Sequence, residues 1–225
     1  MNIPAVSACR VFGACAVTIA LAALAAPAAA QLGRQQGLVE PNVAADSMVA
    51  ALPHLNADIA AALKAARPIL SAAALDSILA SRSLSKAQRT ELYAKLFVHV
   101  DVNRGTDAEF MLIPGMDAKK LAAVKARRPW TSFEQFQAEI SKATSAAEAT
   151  RLEQYLFIPV ELNTFTEAIM DSFASIGVGT RQWKREFNEY RPWTSMEQFD
   201  REISKYLRAR PNELQRLKRY VIIGK

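Results

Sequence analysis

"RPWTSFEQFQAEI" at residues 128 to 140 returns as "RPWTSMEQFDREI" at residues 191 to 203, with ten of thirteen positions identical and a spacing of 63 residues. A near-copy of this length points to duplication of a whole supersecondary unit, so the period decides the fold. Working outward, Asn42, Asn103 and Asn163 open three segments about sixty residues apart. Each segment reads in one order: a short amphipathic helix, a tight turn ("LPHLN", "IPGMD" or "SIGVG"), a second helix, and a stop at Arg67-Pro68, Arg128-Pro129 or Arg191-Pro192. Proline ends a helix because it lacks an amide donor and disfavours α geometry in the residue before it. A further helix begins behind Ser71, Thr131 or Thr194. Thr131 with Glu134, and Thr194 with Glu197, read as capping boxes. Trp130 and Trp193 wedge the corner between helices, and Phe136 and Phe199 fall on the buried stripe. Structural packing without ligand contact is expected of both tryptophans.

The segments close on "LFVHVDVN" (96–103), "LFIPVELN" (156–163) and "RYVIIGK" (219–225). These apolar, partly β-branched runs are too short for helices and predict extended connectors. "SKATSAAEATRLEQY" supplies the remaining helix of its segment. Asp101 and Glu161 recur at matching positions, with Glu40 as their counterpart ahead of the first segment. That recurrence suggests a common capping or connector role rather than acid/base work.

Residues 1–30 carry Arg10 as their only charge, then the apolar run Val11 to Ala26, Pro27 and three alanines. This is the order of a signal peptide cut before Gln31, which predicts a periplasmic or secreted protein with no stable membrane insertion after cleavage. The alternative is an uncleaved anchor, since Val11 to Ala30 is about long enough to span a bilayer. Residues 31–39 read as a flexible leader. Cys9 and Cys15 both lie in the segment to be removed, so no disulfide framework is expected in the mature chain. His54 and His99 are the only histidines. A zinc site and a histidine-activated nucleophile are therefore not expected, while composition leaves carboxylate or lysine chemistry open. No catalytic constellation emerges along the chain, and no metal site or cofactor is expected. The protein is not expected to be an enzyme.

In "SIGVGTRQWKREF" (175–187), Gly177 and Gly179 permit backbone angles closed to other residues and let another molecule approach the main chain. The helix opening at Thr180 offers its unpaired amides and the positive end of its dipole there, a seat for a phosphate. Trp183, Phe187 and Tyr190 follow at i, i+4 and i+7 and face inward, while Arg181, Lys184 and Arg185 cluster on another face. The order helix, hydrophobic-(Pro)-Gly-hydrophobic-Gly, helix resembles the helix-hairpin-helix motif. The lead-ins "HVDVNRGTDAEFMLIPG" and "PVELNTFTEAIMDSFASIG" resemble those of ComEA-like exported competence proteins, as does the Arg-Pro-aromatic-x-Ser step that follows. The resemblance covers residues 40 to 225 and implies an all-α fold of three tandem helix-hairpin-helix repeats with short extended connectors, at 40–100, 101–160 and 161–225.

The resemblance also implies DNA as partner. Hairpin amides grip the phosphate backbone without reading sequence, and flanking cations reinforce the grip. It carries over to Gly177, Gly179, Thr180, Arg181, Lys184 and Arg185 in the third unit, and to Gly115, Lys119 and Lys120 in the second. The third unit departs from the pattern at Ile176, where the family usually has proline. The second places Asp117 at the second glycine, where a carboxylate repels phosphate unless it turns away. The first replaces both glycines with His54 and Asn56 and reads as a structural copy. Net charge is +6 for the chain and, by count, +1, 0 and +3 for the three units in order. Two functions stay open: DNA binding outside the cytoplasm, as in DNA uptake, and a periplasmic protein-interaction or scaffold module using the same fold without DNA. The extrinsic helix-hairpin-helix subunit of photosystem II is a precedent for the second.

Overall fold

A computed structural model describes residues 37–171 and 180–224. The chain is mostly helical. Four helices, α1 (Asp46–Ala50), α2 (Ala57–Ala65), α3 (Ala72–Ser81) and α4 (Lys86–Tyr93), precede strand β1 (Val100–Asp101). Helices α5 (Asp107–Phe110), α6 (Ala118–Ala126), α7 (Phe133–Ala143) and α8 (Ala146–Glu153) lead to β2 (Leu156–Phe157) and β3 (Val160–Glu161). Then come α9 (Glu167–Asp171), α10 (Thr180–Glu189), α11 (Met196–Leu207), α12 (Pro211–Arg219) and β4 (Val221–Ile222). No helix among the described residues is long and apolar enough to cross a membrane.

The extended connectors are strands, and they pair in parallel. Val100 lies opposite Leu156, Val160 opposite Val221, and Val39 forms an isolated parallel bridge to Leu96. Each pairing joins the two ends of a four-helix segment. Parallel strands need a long crossover, which the four helices supply. Two boundary expectations are corrected here. Leu38 and Val39 are not leader: Leu38 is buried in the core, and Val39 donates to Lys95 O at 2.7 Å and accepts from Phe97 N at 3.2 Å. The divisions drawn at 101 and 161 likewise fall one residue inside β1 and β3.

Polar side chains fix where the helices begin. Asn56, Ser71, Ser85, Thr106, Asp117, Ser132, Ser145 and Ser195 each accept a hydrogen bond from the amide three residues on, which satisfies one of the amides a helix leaves open at its start. The caps of α7 and α11 are therefore Ser132 and Ser195, not Thr131 and Thr194. The backbone stays extended through Ser132 (φ −151°, ψ 158°) and Ser195 (φ −161°, ψ 160°), so both helices start one residue later than predicted. The threonines instead meet the side chains of Gln135 and Gln198, to which Thr131 N donates at 3.3 Å and Thr194 N at 2.8 Å.

A clasp built from one asparagine and one arginine recurs three times. Asn42 accepts from Ile69 N (2.7 Å) and donates to Ile69 O (2.9 Å). Asn103 does the same with Trp130 (2.7 and 2.8 Å), and Asn163 with Trp193 (2.8 and 2.9 Å). The arginine of each Arg-Pro pair reaches back the other way. Arg67 donates to Pro41 O and Ala44 O, Arg128 to Val102 O and Gly105 O, and Arg191 to Leu162 O and Phe165 O. All three Arg-Pro peptides are cis. The repeated dipeptide thus ends a helix and also ties the corner behind it to the connector of its own segment. The matched carboxylates prepare the clasp: Glu40, Asp101 and Glu161 accept from the main-chain amides of Asn42, Asn103 and Asn163 at 3.2, 2.8 and 3.1 Å.

The first two segments share one hydrophobic core, running from Leu38 to Ile158. The third has its own core from Phe157 to Val221. Trp130 and Trp193 are buried, their indole N–H groups donating to Val124 O (2.9 Å) and Phe187 O (3.0 Å). Arg219 holds the third segment to the others. Its guanidinium donates to His99 O, lies 5.0 Å over the Phe157 ring, and its carbonyl accepts from Arg104 at 3.2 Å. His99 and Glu40 are buried beneath it, with Nδ1 and Oε2 3.5 Å apart. Burial alone pushes the Glu40 carboxyl up, but the neighbouring His99, with help from Asn42 and Arg219, holds it below the ordinary value.

Candidate functional site

The three turn sequences differ at two positions, and the structure describes the first two of these turns. At the first position the chain takes a left-handed backbone: φ is 64° at His54 and 74° at Gly115. Glycine adopts that conformation freely and histidine at a cost. His54 is held in it with its Nε2 2.6 Å from Glu91 Oε2. The third turn's counterpart, Gly177, lies outside the described residues.

The second position is the residue before the following helix. Asn56 and Asp117 both use their side chains there as N-caps, on Ile59 N (2.9 Å) and Lys120 N (2.8 Å). Asp117 does not turn away from the amino end of α6; its carboxylate sits on it. The hydrogen bond from the Lys120 amide is the main cause that keeps its pKa below the ordinary value. Gly179, the counterpart in the third turn, lies outside the described residues, and its residue type carries no side chain with which to cap α10.

Around Gly115 the structure assembles groups that are far apart in sequence. Lys120 Nζ donates to Gly115 O at 2.6 Å and lies 2.9 Å from Glu148 Oε1 and 3.6 Å from Asp117 Oδ2. Glu148 accepts two bonds from Arg151, Nε to Oε2 and Nη2 to Oε1, both 2.7 Å. The Arg151 guanidinium rests against the glycine, so that a Cβ at residue 115 would meet its Nη2 at 3.2 Å. The cluster has two cations and two carboxylates, and Lys119 stands exposed beside it. Across a cleft of about 380 Å³, residues 111–116 face Asp76, Lys86, Arg89 and Tyr93 of α3 and α4.

The hydrogen bonds from Arg151, opposed by burial and reinforced by Lys120, hold the Glu148 carboxyl at about 2. A carboxyl that binds its proton less readily folded than unfolded stabilises the fold above its unfolded value, and that contribution fades as pH falls through the folded one. In urea unfolding, wild-type protein is therefore expected to exceed Glu148→Gln in stability above pH 4.5, and the difference should vanish as pH falls toward 2. A difference that stays constant over that range would mean the carboxylate contributes nothing through its charge.

In the third segment Trp183 and Phe187 are buried and Tyr190 is half-buried against them. Lys184 is half-buried. Arg185 is 68% exposed but ion-paired, 2.7 Å from Glu186 and 3.6 Å from Glu189. Thr180 and Arg181 lie in α10, and their side chains are outside the described residues. Sequence reasoning missed the contribution of the fourth helix of each segment. In register, Arg151 corresponds to Glu91 in the first segment and Arg216 in the third, and Glu148 to Gln88 and Glu213. Glu213 pairs with Arg210 at 2.7 Å, and the buried Arg216 has its Nη2 without a hydrogen-bond partner. The only local signal was the Glu-x-x-Arg spacing on α8 and α12, which is common on solvated helices. Among the described residues no group of three or more His, Cys, Asp or Glu side chains is placed to hold a metal ion. No protein family, curated protein or solved structure matches the chain.

Proposed function

We propose that the protein binds DNA outside the cytoplasm without sequence specificity, as three tandem helix-hairpin-helix units related to the ComEA-like exported proteins. In this reading residues 1–30 are a removed signal peptide and the mature protein is periplasmic or secreted. It uses no cofactor and catalyses no reaction. The triple recurrence of clasp and parallel pairing supports the three-unit description.

The observation that carries the functional reading is the contrast at the helix amino ends. Asn56 and Asp117 fill those of α2 and α6 with their own oxygens, whereas residue 179 is a glycine with none to offer. A cap residue without a side-chain oxygen leaves the first helix amides for another acceptor, such as a phosphate. The third unit also carries the largest positive excess. DNA contacts are accordingly assigned to Gly177, Gly179, Thr180, Arg181, Lys184 and Arg185, with Gly115, Lys119 and Lys120 as the weaker second site.

The test is fluorescence anisotropy of labelled single- and double-stranded DNA across a salt gradient. Neutralisation of about four phosphates gives a log-log salt slope of roughly −3.6, with little dependence on base sequence. Replacing Gly177 and Gly179 by leucine is expected to abolish that binding in a folded protein. Unchanged affinity in the variant would remove the hairpin from the mechanism. The scaffold reading draws support from the carboxylates at the second hairpin, which disfavour an anionic partner there. It predicts no DNA binding at physiological salt.

A further inference from the structure

We infer that Glu148 and Asp117 act as internal competitors for phosphate, occupying the cationic corner of the second hairpin, and that this competition is what makes it the weaker site. The corner has the parts of an anion site. Gly115 is exposed, the amino end of α6 opens beside it, and Lys119, Lys120 and Arg151 come from two different helices. The helix start, the Arg151 fork and the Lys120 ammonium already serve protein anions. Asp117 holds the helix start, Glu148 takes both nitrogens of the Arg151 fork and the Lys120 ammonium, and Lys120 is drawn onto the Gly115 carbonyl. A bidentate carboxylate is the geometry with which a guanidinium also meets a phosphate, so Glu148 sits as a stand-in for the missing ligand. Because its carboxyl is held at about 2, the stand-in remains charged at any physiological pH.

The third unit supplies the contrast. Its counterpart Glu213 is diverted to Arg210, and the corresponding Arg216 keeps an unpaired nitrogen. The first unit shows that the charge of Asp117 is not needed for the cap. Asn56 caps α2 from an extended backbone (φ −123°, ψ 179°) close to that of Asp117 (φ −137°, ψ 171°).

The inference takes its probe from the DNA-binding reading, and the experiment separates the two. Salt-dependent anisotropy of a mixed-sequence duplex is measured with wild-type protein, Asp117→Asn, Glu148→Gln and the double variant, each checked by circular dichroism. Asp117→Asn preserves the cap and leaves the Glu148 fork untouched, so it reports even if Glu148→Gln loosens the fold. Asp58→Asn, the same charge change at an exposed position of α2, controls for net charge. Each single variant is expected to bind at least roughly threefold tighter, with a salt slope steeper by ~0.9, and the double variant with a slope steeper by ~1.8. Lys120→Gln should cancel the gain. Wild-type binding with no gain in the folded variants, or an equal gain in Asp58→Asn, overturns the masking and leaves the functional reading intact. Binding by the double variant alone supports the masking and sinks that reading. No binding by any of them overturns both.

Discussion

Asn103→Ala is expected to lower the free energy of unfolding by about 2–4 kcal/mol, a large share of what holds an ordinary domain together. The asparagine amide is the sole side-chain link between the β1 connector and the main chain of Trp130, accepting at 2.7 Å and donating at 2.8 Å. Truncation leaves an amide and a carbonyl unpaired beside a buried indole, and each such orphan costs about 1–3 kcal/mol. Asn103→Asp retains an acceptor for Trp130 N but sets an anion against Trp130 O, so most of the loss should persist. Urea unfolding followed by circular dichroism measures both. A loss below about 1 kcal/mol for the alanine variant would mean that water enters and replaces the clasp.

Trp130→Ala should cost more, about 3–5 kcal/mol, because a buried aromatic is removed from a core that relaxes only in part. Trp130 is 1% exposed, packs edge-on against Phe136 at 5.2 Å between ring centroids, and gives its N–H to Val124 O. The first segment has Ile69 in this place, also buried, so Trp130→Ile is expected to fall between wild type and alanine. Equal stability of the alanine and isoleucine variants would show that the indole hydrogen bond, and not the filled volume, is what matters at this corner.

These two residues mark how far the sequence could be read. Trp130 was legible as a corner wedge because it stands between the Arg128-Pro129 stop and a helix whose Phe136 falls on the apolar stripe, and both side chains are buried. The helix beside it starts one residue later than the sequence predicts, behind Ser132. Serine caps somewhat better than threonine, but both are good caps, and the extended backbone through Ser132 follows a Trp130 that Asn103 holds from 27 residues away. Arg128 was legible as half of a stop signal. Its second role, donating to Val102 O and Gly105 O, depends on where the connector lies in space.

At the candidate site the same division holds. The glycine corner, the Asp117 anomaly and Lys120 all lie within a few residues of each other, and their conflict was visible in the chain itself. Glu148 and Arg151 were not. They reach Gly115 only because α7 and α8 fold back across the turn, and nothing in "AAEATRLE" distinguishes a pair that clamps a hairpin from one that faces water.

The sequence by itself determined the near-copied corner, the mainly helical content, the first two turns and the residues that stop each helix, because periodicity, proline geometry and glycine freedom act over a few neighbouring residues. The parallel pairing of connectors 56 to 61 residues apart, the asparagine clasps and the carboxylates on the second hairpin were decided by tertiary structure alone. Hydrogen bonds and ion pairs depend on distances of about 3 Å, and between remote segments only the packed core sets those.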